Sequence, residues 1–181
     1  MSWEHELFAL FDDLEGQAAA LWEAEREAEL ADRARAEYAS VSLASRLMAS
    51  RGRDVQLGLP HVGRVEGRLD RVGDGWCLLS GAGQDWIVPL AHLVTVEGCG
   101  ERSVPEVAWS PVDRLGLRAA LRRLAETGAR CVLHLADGSW RAGRLERAGA
   151  DFVECVPDDE AHGEPVLVAH AALVAVQSRE G

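Results

Sequence analysis

Apolar residues recur at three- and four-residue steps along the first 38 residues, and charged residues fill the positions between them. This spacing predicts an amphipathic helix over residues 3–38, which Ser2 can cap. The apolar positions are Leu7, Phe11, Leu14, Ala18, Leu21, Ala28, Ala31 and Tyr38. From Trp22 onward the seam is narrow and made of alanine and leucine, so we expect the helix to pack on a barrel or on another helix.

Two shorter helices are predicted by their end signals. Near residue 40, a serine-rich stretch predicts a helix that Ser40 or Ser42 caps and that Gly52 ends. Further along, "SPVDRLGLRAALRRLAETG" predicts a helix with Ser110 as its cap and Gly128 as its terminator. Each of these helices precedes a stretch rich in strand-forming residues.

After each short helix, apolar and polar positions alternate, which is typical of strands with one buried face. The apolar positions are Val55, Leu57 and Leu59 in the earlier segment and Cys131, Leu133 and Leu135 in the later one. Asp137-Gly138 predicts a hairpin turn in the later segment. Both segments close with a strand, a short turn and a last strand, "WIVPLAHLVTVEG" and "VLVAHAALVAVQS". Each segment is therefore predicted to hold about five short strands.

The two β-rich segments repeat each other. "GRLDRVG" at residues 67–73 corresponds to "GRLERAG" at residues 143–149, a shift of 76 that also relates Gly52 to Gly128. A loop four residues longer, through "PDDEAHGE", then makes the shift 80. At that shift, Val88, Ala91, Leu93, Val94 and Val96 correspond to Val168, Ala171, Leu173, Val174 and Val176. An ordered series with one length change in a loop indicates an internal duplication.

Gly67 and Gly143 suit a strand that belongs to both halves of a small barrel and must bend sharply. We therefore predict a mainly β protein with α-helices, in which a long acidic N-terminal helix precedes two tandem units, each a helix plus a five-stranded barrel. The predicted boundaries are 1–40 for the N-terminal helix, 41–98 for the first barrel unit, 99–112 for a linker and 113–181 for the second barrel unit. Trp109 in the linker is expected to form a contact between units.

The net charge of −11 is concentrated at the N-terminus, where residues 1–40 hold eleven acidic and three basic residues, a balance of −8. All 19 basic residues are arginine, which suggests the codon bias of a GC-rich bacterial genome. The chain lacks a run of eighteen uncharged apolar residues, and its first residues are acidic where a signal peptide is basic, so we expect a cytoplasmic protein without a membrane partner.

The residues that usually carry chemistry are sparse. The four cysteines are widely spaced and form no CxxC pair, so they are predicted to be buried free thiols rather than zinc ligands. No P-loop, GxSxG or HExxH motif occurs. We therefore expect no enzymatic activity, no cofactor and no metal site.

A helix followed by a strand–turn–strand with "GSWRAG", and then a strand pair with "VAHAALVAVQSR", resembles the Sm-like fold. Among Sm-like families it looks most like the bacterial Sm-like RNA chaperone. The resemblance covers residues 113–178 well and residues 42–97 less well, and small SH3-like barrels show similar glycine patterns. It implies two five-stranded, strongly bent Sm/SH3-like barrels and a tendency to join edge strands, as Sm-like proteins do in rings.

The resemblance also identifies where RNA contacts would lie. In Sm-like RNA binders an aspartate follows the bend glycine by six positions, and this sequence has Gly73 and Gly149 there. The chaperone's RNA-contacting segment carries an aromatic, a lysine and a histidine before alanine, and it matches residues 168–171. Only His170 is kept, and the first copy has Leu90 in its place. RNA binding through the family's own pocket is therefore not expected.

Five residues are candidate nucleic-acid contacts: Arg68, Arg71, Arg144, Arg147 and His170. Arginine offers forked donors to phosphates. The alternative is a solvated strand face on which the arginines pair with the acids Glu66, Asp70 and Glu146. For His170 the alternative is a turn residue with a satisfied hydrogen bond. A chain of net charge −11 repels polyanions unless its basic residues cluster in space.

Four aromatic residues are candidate partner contacts: Trp3, Phe8, Phe11 and Trp140. The first three lie at the tip of the acidic helix. Trp140 has the strand parity opposite to Leu145, which favours an exposed anchor for a partner, whereas Trp76 and Trp86 are expected in the core. We therefore expect a non-enzymatic binding or assembly module that acts through protein–protein contacts or self-association of the helix and tandem barrels. The alternative is an Sm-like nucleic-acid-binding regulatory protein.

Overall fold

The chain forms two compact units, Met1–Val41 and Ser42–Gly181. The structure is a computed structural model that describes residues 3–81, 83–158 and 164–178. The first unit holds one helix, α1 (Trp3–Ala39), close to the range that its apolar spacing predicts. Ser2, the predicted cap of α1, lies outside the described residues. Every described side chain of α1 is exposed within this chain.

The second unit begins with the short helix α2 (Leu43–Ala49). Ser42 caps it, because the Ser42 hydroxyl accepts a hydrogen bond from the Ser45 N–H at 3.1 Å. This residue is one of the two predicted caps. A further helix, α3 (Leu117–Thr127), ends as predicted at Gly128 in the left-handed conformation, with φ at 62°.

The predicted start of α3 at Ser110 is wrong, since Gly116 occupies the cap position and the helix begins at Leu117. Ser110 and Asp113 instead close a separate turn. The Ser110 hydroxyl donates to the Asp113 carboxylate at 2.6 Å, and the Asp113 N–H donates to Ser110 Oγ at 3.3 Å. The hydroxyl donor, more than any other group, lowers the pKa of Asp113. A capping pattern thus forms its local hydrogen bonds without starting a helix.

The described residues form ten strands, and every pairing between these strands is antiparallel. Their bounds are β1 (Asp54–Leu59), β2 (Gly63–Gly73), β3 (Trp76–Gly81), β4 (Gln84–Pro89), β5 (Thr95–Glu97), β6 (Arg130–Leu135), β7 (Trp140–Ala148), β8 (Phe152–Pro157), β9 (Val166–Ala169) and β10 (Leu173–Ser178). Their order across the sheet is β5-β1-β2-β3-β4-β10-β6-β7-β8-β9. Short 3₁₀ turns at Leu90–His92 and His170–Ala172 connect β4 to β5 and β9 to β10.

The mainly β architecture with helices is confirmed. The two tandem five-stranded barrels are not confirmed, because the strands of the described residues form one open sheet. Within that sheet each half keeps the same order, with the fifth strand beside the first and the other strands following in sequence. The fourth strand of the first half, β4, pairs with the last strand of the second half, β10, and this pairing joins the halves.

The register of the strands agrees with the duplication. Val55 lies opposite Gly67 between β1 and β2, and Cys131 lies opposite Gly143 between β6 and β7, a shift of 76 on both sides. The ladder is also irregular at the same place in each half, after Leu69 and after Leu145. The sequence repeat is therefore also a repeat of strand pairing.

Two apolar clusters form the core, and each takes residues from both halves. The first surrounds Leu57 and Leu69 and includes Val174 and Ala175 of β10. Trp109 is buried in this cluster, and its Nε1–H donates to the Val104 carbonyl at 3.0 Å. The second cluster consists mostly of residues after position 116 but includes two from the first half, Trp76 and Ile87.

Candidate functional site

Helix α1 presents a continuous apolar surface over its first five turns. At 100° per residue, its members fall within an arc of about 120°. This apolar stripe consists of Trp3, Leu7, Leu10, Phe11, Leu14, Ala18, Leu21 and Trp22, and Phe8 borders it. Trp3 is 71% exposed and Trp22 is 77% exposed. The stripe includes the predicted contacts Trp3 and Phe11; Leu10 and Trp22 were missed, although the same helical spacing could have identified them.

The charged residues in the stretch of sequence that carries the apolar stripe are acidic. Residues 3–22 hold five acids, Glu4, Glu6, Asp12, Asp13 and Glu15, and no arginine. Residues 23–40 hold six acids and three arginines, a balance of −3. In a pair of α1 helices, negative flanks would meet in either orientation.

Trp140 is exposed, as predicted from its strand parity, at 61%. It begins β7 and lines an open cavity of about 1180 Å³ together with Arg141, Pro157 and Val166. Its neighbour across the ladder is His134 of β6. The cavity offers an aromatic surface and a cation from one hairpin.

Four side chains at the β4–β10 boundary form one network, which we name the junction cluster: Gln84, Trp86, His134 and Gln177. The rings of Trp86 and His134 stack with centroids 5.5 Å apart. His134 Nε2–H donates to Gln177 Oε1 at 3.0 Å, and Gln177 Nε2–H donates to Gln84 Oε1 at 2.7 Å. Trp86 is thus half-buried beside a polar network rather than fully in the core.

The candidate arginines have acidic neighbours. Arg68 lies 3.4 Å from Asp70, Arg144 lies 3.3 Å from Glu146, and Arg147 lies 2.8 Å from Glu154 across the β7–β8 ladder. These contacts agree with the alternative of a solvated strand face on which the arginines pair with acids. Two of the three pairs join residues of the same strand, and one joins residues of neighbouring strands. The fourth, Arg71, is close enough to Asp113 to lower the pKa of that carboxyl slightly.

A nearby aromatic ring occupies the space beside Gly73 and the space beside Gly149. These two glycines lie at the positions where Sm-like RNA binders carry aspartate. A Cβ on Gly73 would collide with the Trp76 indole, and a Cβ on Gly149 would collide with the Phe152 ring. In each half an aromatic side chain three residues later therefore occupies the space beside the glycine. No acidic side chain fits there without moving that ring.

His170 begins the 3₁₀ turn between β9 and β10. Its backbone N–H donates to the Asp151 carbonyl at 2.7 Å. Its side-chain Nε2 is buried and has no hydrogen-bond partner among the described residues. The Nε2 atom thus lacks the satisfied hydrogen bond expected of a turn residue.

Three of the four cysteines are buried, and all four are free thiols. Burial raises the pKa of Cys77 and Cys131 to about 12, and it also raises the pKa of Cys155. A thiol with so high a pKa is protonated at neutral pH and is a poor nucleophile.

Within residues 3–81, 83–158 and 164–178, no helix is both long and apolar enough to cross a membrane. The same described residues contain no group of three or more His, Cys, Asp and Glu side chains that could hold a metal ion. No protein-family model matches the chain, and no curated protein matches it.

Proposed function

We propose that the protein is a non-enzymatic binding or assembly module whose helix α1 docks a partner segment that is apolar and basically charged. The observation that carries this proposal is the uncovered apolar stripe of α1. Soluble monomers rarely expose large contiguous apolar patches, and such patches commonly mark interaction sites. Large aromatic side chains such as Trp3, Phe11 and Trp22 are the residues that usually anchor an interface.

The chemistry of the partner follows from the acidic flanks. An amphipathic helix with leucines on one face and arginines or lysines beside them would cover the stripe and neutralise its flanks. A second copy of α1 would cover the stripe but would bring like charges together. The partner is therefore a different protein, and the association weakens as salt screens the charges.

We also propose that the two halves of the sheet are tandem Sm-like barrels. The bend glycines, the five strands of each half and the repeated register support this assignment. The nucleic-acid alternative gains no support, because three of its four arginines lie beside carboxylates and His170 Nε2 is buried. A crystal structure with a different strand order in either half, or with strands that do not bend at Gly67 and Gly143, would contradict the assignment.

Replacing Leu21 with aspartate should weaken docking on α1 by at least about tenfold, because it puts a charge where an apolar side chain would be buried. The measurement is fluorescence anisotropy of a labelled synthetic helical peptide with leucine and arginine in heptad spacing, titrated with the full chain. Ala20→Asp is the matched control, because it adds the same charge at an exposed residue that lies outside the stripe.

A second peptide, with glutamate in place of arginine, tests the charge argument and should bind at least about tenfold more weakly. Equal losses for Leu21→Asp and Ala20→Asp would show that the stripe is not the docking surface. A full chain that forms a stable dimer, lost on Leu21→Asp, would identify a second copy as the partner and would overturn the basic-partner proposal.

A further inference from the structure

The outer strands of the sheet, β5 and β9, are copies of the two strands that meet at its centre. β9 corresponds to β4 by the shift of 80: Val168 pairs with Val153 as Val88 pairs with Cys77. β5 corresponds to β10, since Val96 pairs with Leu57 as Val176 pairs with Leu133. Among the strands that the structure describes, each outer strand has a neighbour on one side only.

A second copy of the chain could therefore add its β5 to β9 with the geometry of the β4–β10 junction. At the junction Ile87 lies opposite Val176, and both are buried. Their counterparts at the outer edges are Leu167 and Val96, so the apolar half of the contact is kept. Leu167 is 63% exposed where Ile87 is 8% exposed, which is the difference expected for an edge without its neighbour.

The polar half of the contact is not kept. Gln177 donates to Gln84 at the junction, and the counterparts of these two amides are Glu97 and Glu164. Between two copies, a hydrogen-bonded amide pair would become two facing carboxylates. The aromatic contact is also lost, because the counterparts of Trp86 and His134 are Val166 and Gly58.

Two further changes remove a junction hydrogen bond. The Asp85 N–H donates to the Ser178 hydroxyl at 2.7 Å. The counterpart of Asp85 is Pro165, which has no N–H, and the counterpart of Ser178 is Gly98, which has no hydroxyl. Proline and charge at an edge strand are the features by which proteins prevent their sheets from pairing edge to edge.

We infer that Glu97 and Glu164, assisted by Pro165, prevent a second copy of this chain from joining β5 to β9, so that the sheet ends after one chain. Without these carboxylates the contact would be head-to-tail. A head-to-tail contact generates rings or open chains of subunits, and not a closed two-fold dimer.

Charge reversal at either edge tests this inference by sedimentation velocity of the full chain at low salt. All variants carry Leu21→Asp, so that α1 does not contribute to association. Glu97→Arg alone and Glu164→Arg alone each place an arginine opposite a glutamate, and each should associate at least about 100-fold more strongly than the parent. The double variant restores like charges and should sediment as the parent does.

The control for charge alone is Glu37→Arg with Glu106→Arg, which changes the net charge as the double variant does, away from both edges. Adding Leu167→Asp to Glu164→Arg should abolish the association, since it removes the apolar contact. The inference is overturned if both single variants sediment like the parent, if the double variant associates as they do, or if the parent itself forms growing species.

Discussion

Replacing Gly143 with alanine should lower the free energy of unfolding by roughly 3 kcal/mol, the upper part of the range for overpacking a close contact. A Cβ at this position would collide with the Val156 carbonyl oxygen and would come within 2.8 Å of Cys155 Sγ. The carbonyl belongs to the neighbouring strand β8, so relief of the collision requires a backbone shift in the ladder.

Urea unfolding of two further variants, Gly67→Ala and Gly116→Ala, provides a graded comparison of stability. Gly67 is the counterpart of Gly143 in the first half. A Cβ at Gly67 would lie 2.9 Å from the Ser80 carbonyl oxygen, a milder overlap, and Gly67→Ala should cost less than Gly143→Ala. At Gly116 the nearest atom would be 3.9 Å away, so Gly116→Ala should change stability by less than about 0.5 kcal/mol. If all three variants unfold alike, close backbone approach is not the reason for the bend glycines.

Alkaline pH should destabilise the fold through its buried thiols. The folded-state pKa of Cys77 and of Cys131 is about 12, above the ordinary value of 9.0, because burial disfavours the thiolate. Their contribution to stability is therefore complete below about pH 9 and is lost as pH rises from 9 to 12. Linkage gives a loss of about 1.4 kcal/mol for each thiol at pH 10, or about 3 kcal/mol for both.

The measurement is urea unfolding in reducing buffer at pH 8 and pH 10. The sequence has no lysine and one tyrosine, so few other groups titrate in this window. The internal repeat suggests the control variant. Val153 occupies the position that corresponds to Cys77, and Val55 occupies the position that corresponds to Cys131. Cys77→Val with Cys131→Val should remove most of the loss. A double variant as sensitive to alkali as the parent would assign the loss to other groups.

The features that the sequence predicted well are set by local spacing. Helical periodicity identified α1, and a glycine identified the end of α3. The matching heptapeptides around Gly67 and Gly143 identified the duplicated strand pairing, because the repeat fixes which residues face each other. The start of α3 was misplaced for an equally local reason: the Ser110–Asp113 hydrogen bonds satisfy a capping pattern within a turn.

The features that it did not predict depend on contacts between distant parts of the chain. The junction cluster joins Gln84 to Gln177, 93 positions apart, and neither residue belongs to a recognisable motif. The aromatic rings that fill the space beside Gly73 and Gly149 also become apparent only in three dimensions. The role proposed for the edge residues Glu97 and Glu164 can be recognised only after the pairing of β4 with β10 is known.

The exchange of core residues between the halves has a consequence for the history of the molecule. Trp76 and Ile87 complete the core of the later half, while Val174 and Ala175 complete that of the earlier half. A half-length ancestor that folded as a single copy would have left such side chains in water, or would have met them in another molecule. After the duplication, the contact lies within one polypeptide, and neither copy can be deleted without opening the core of the other.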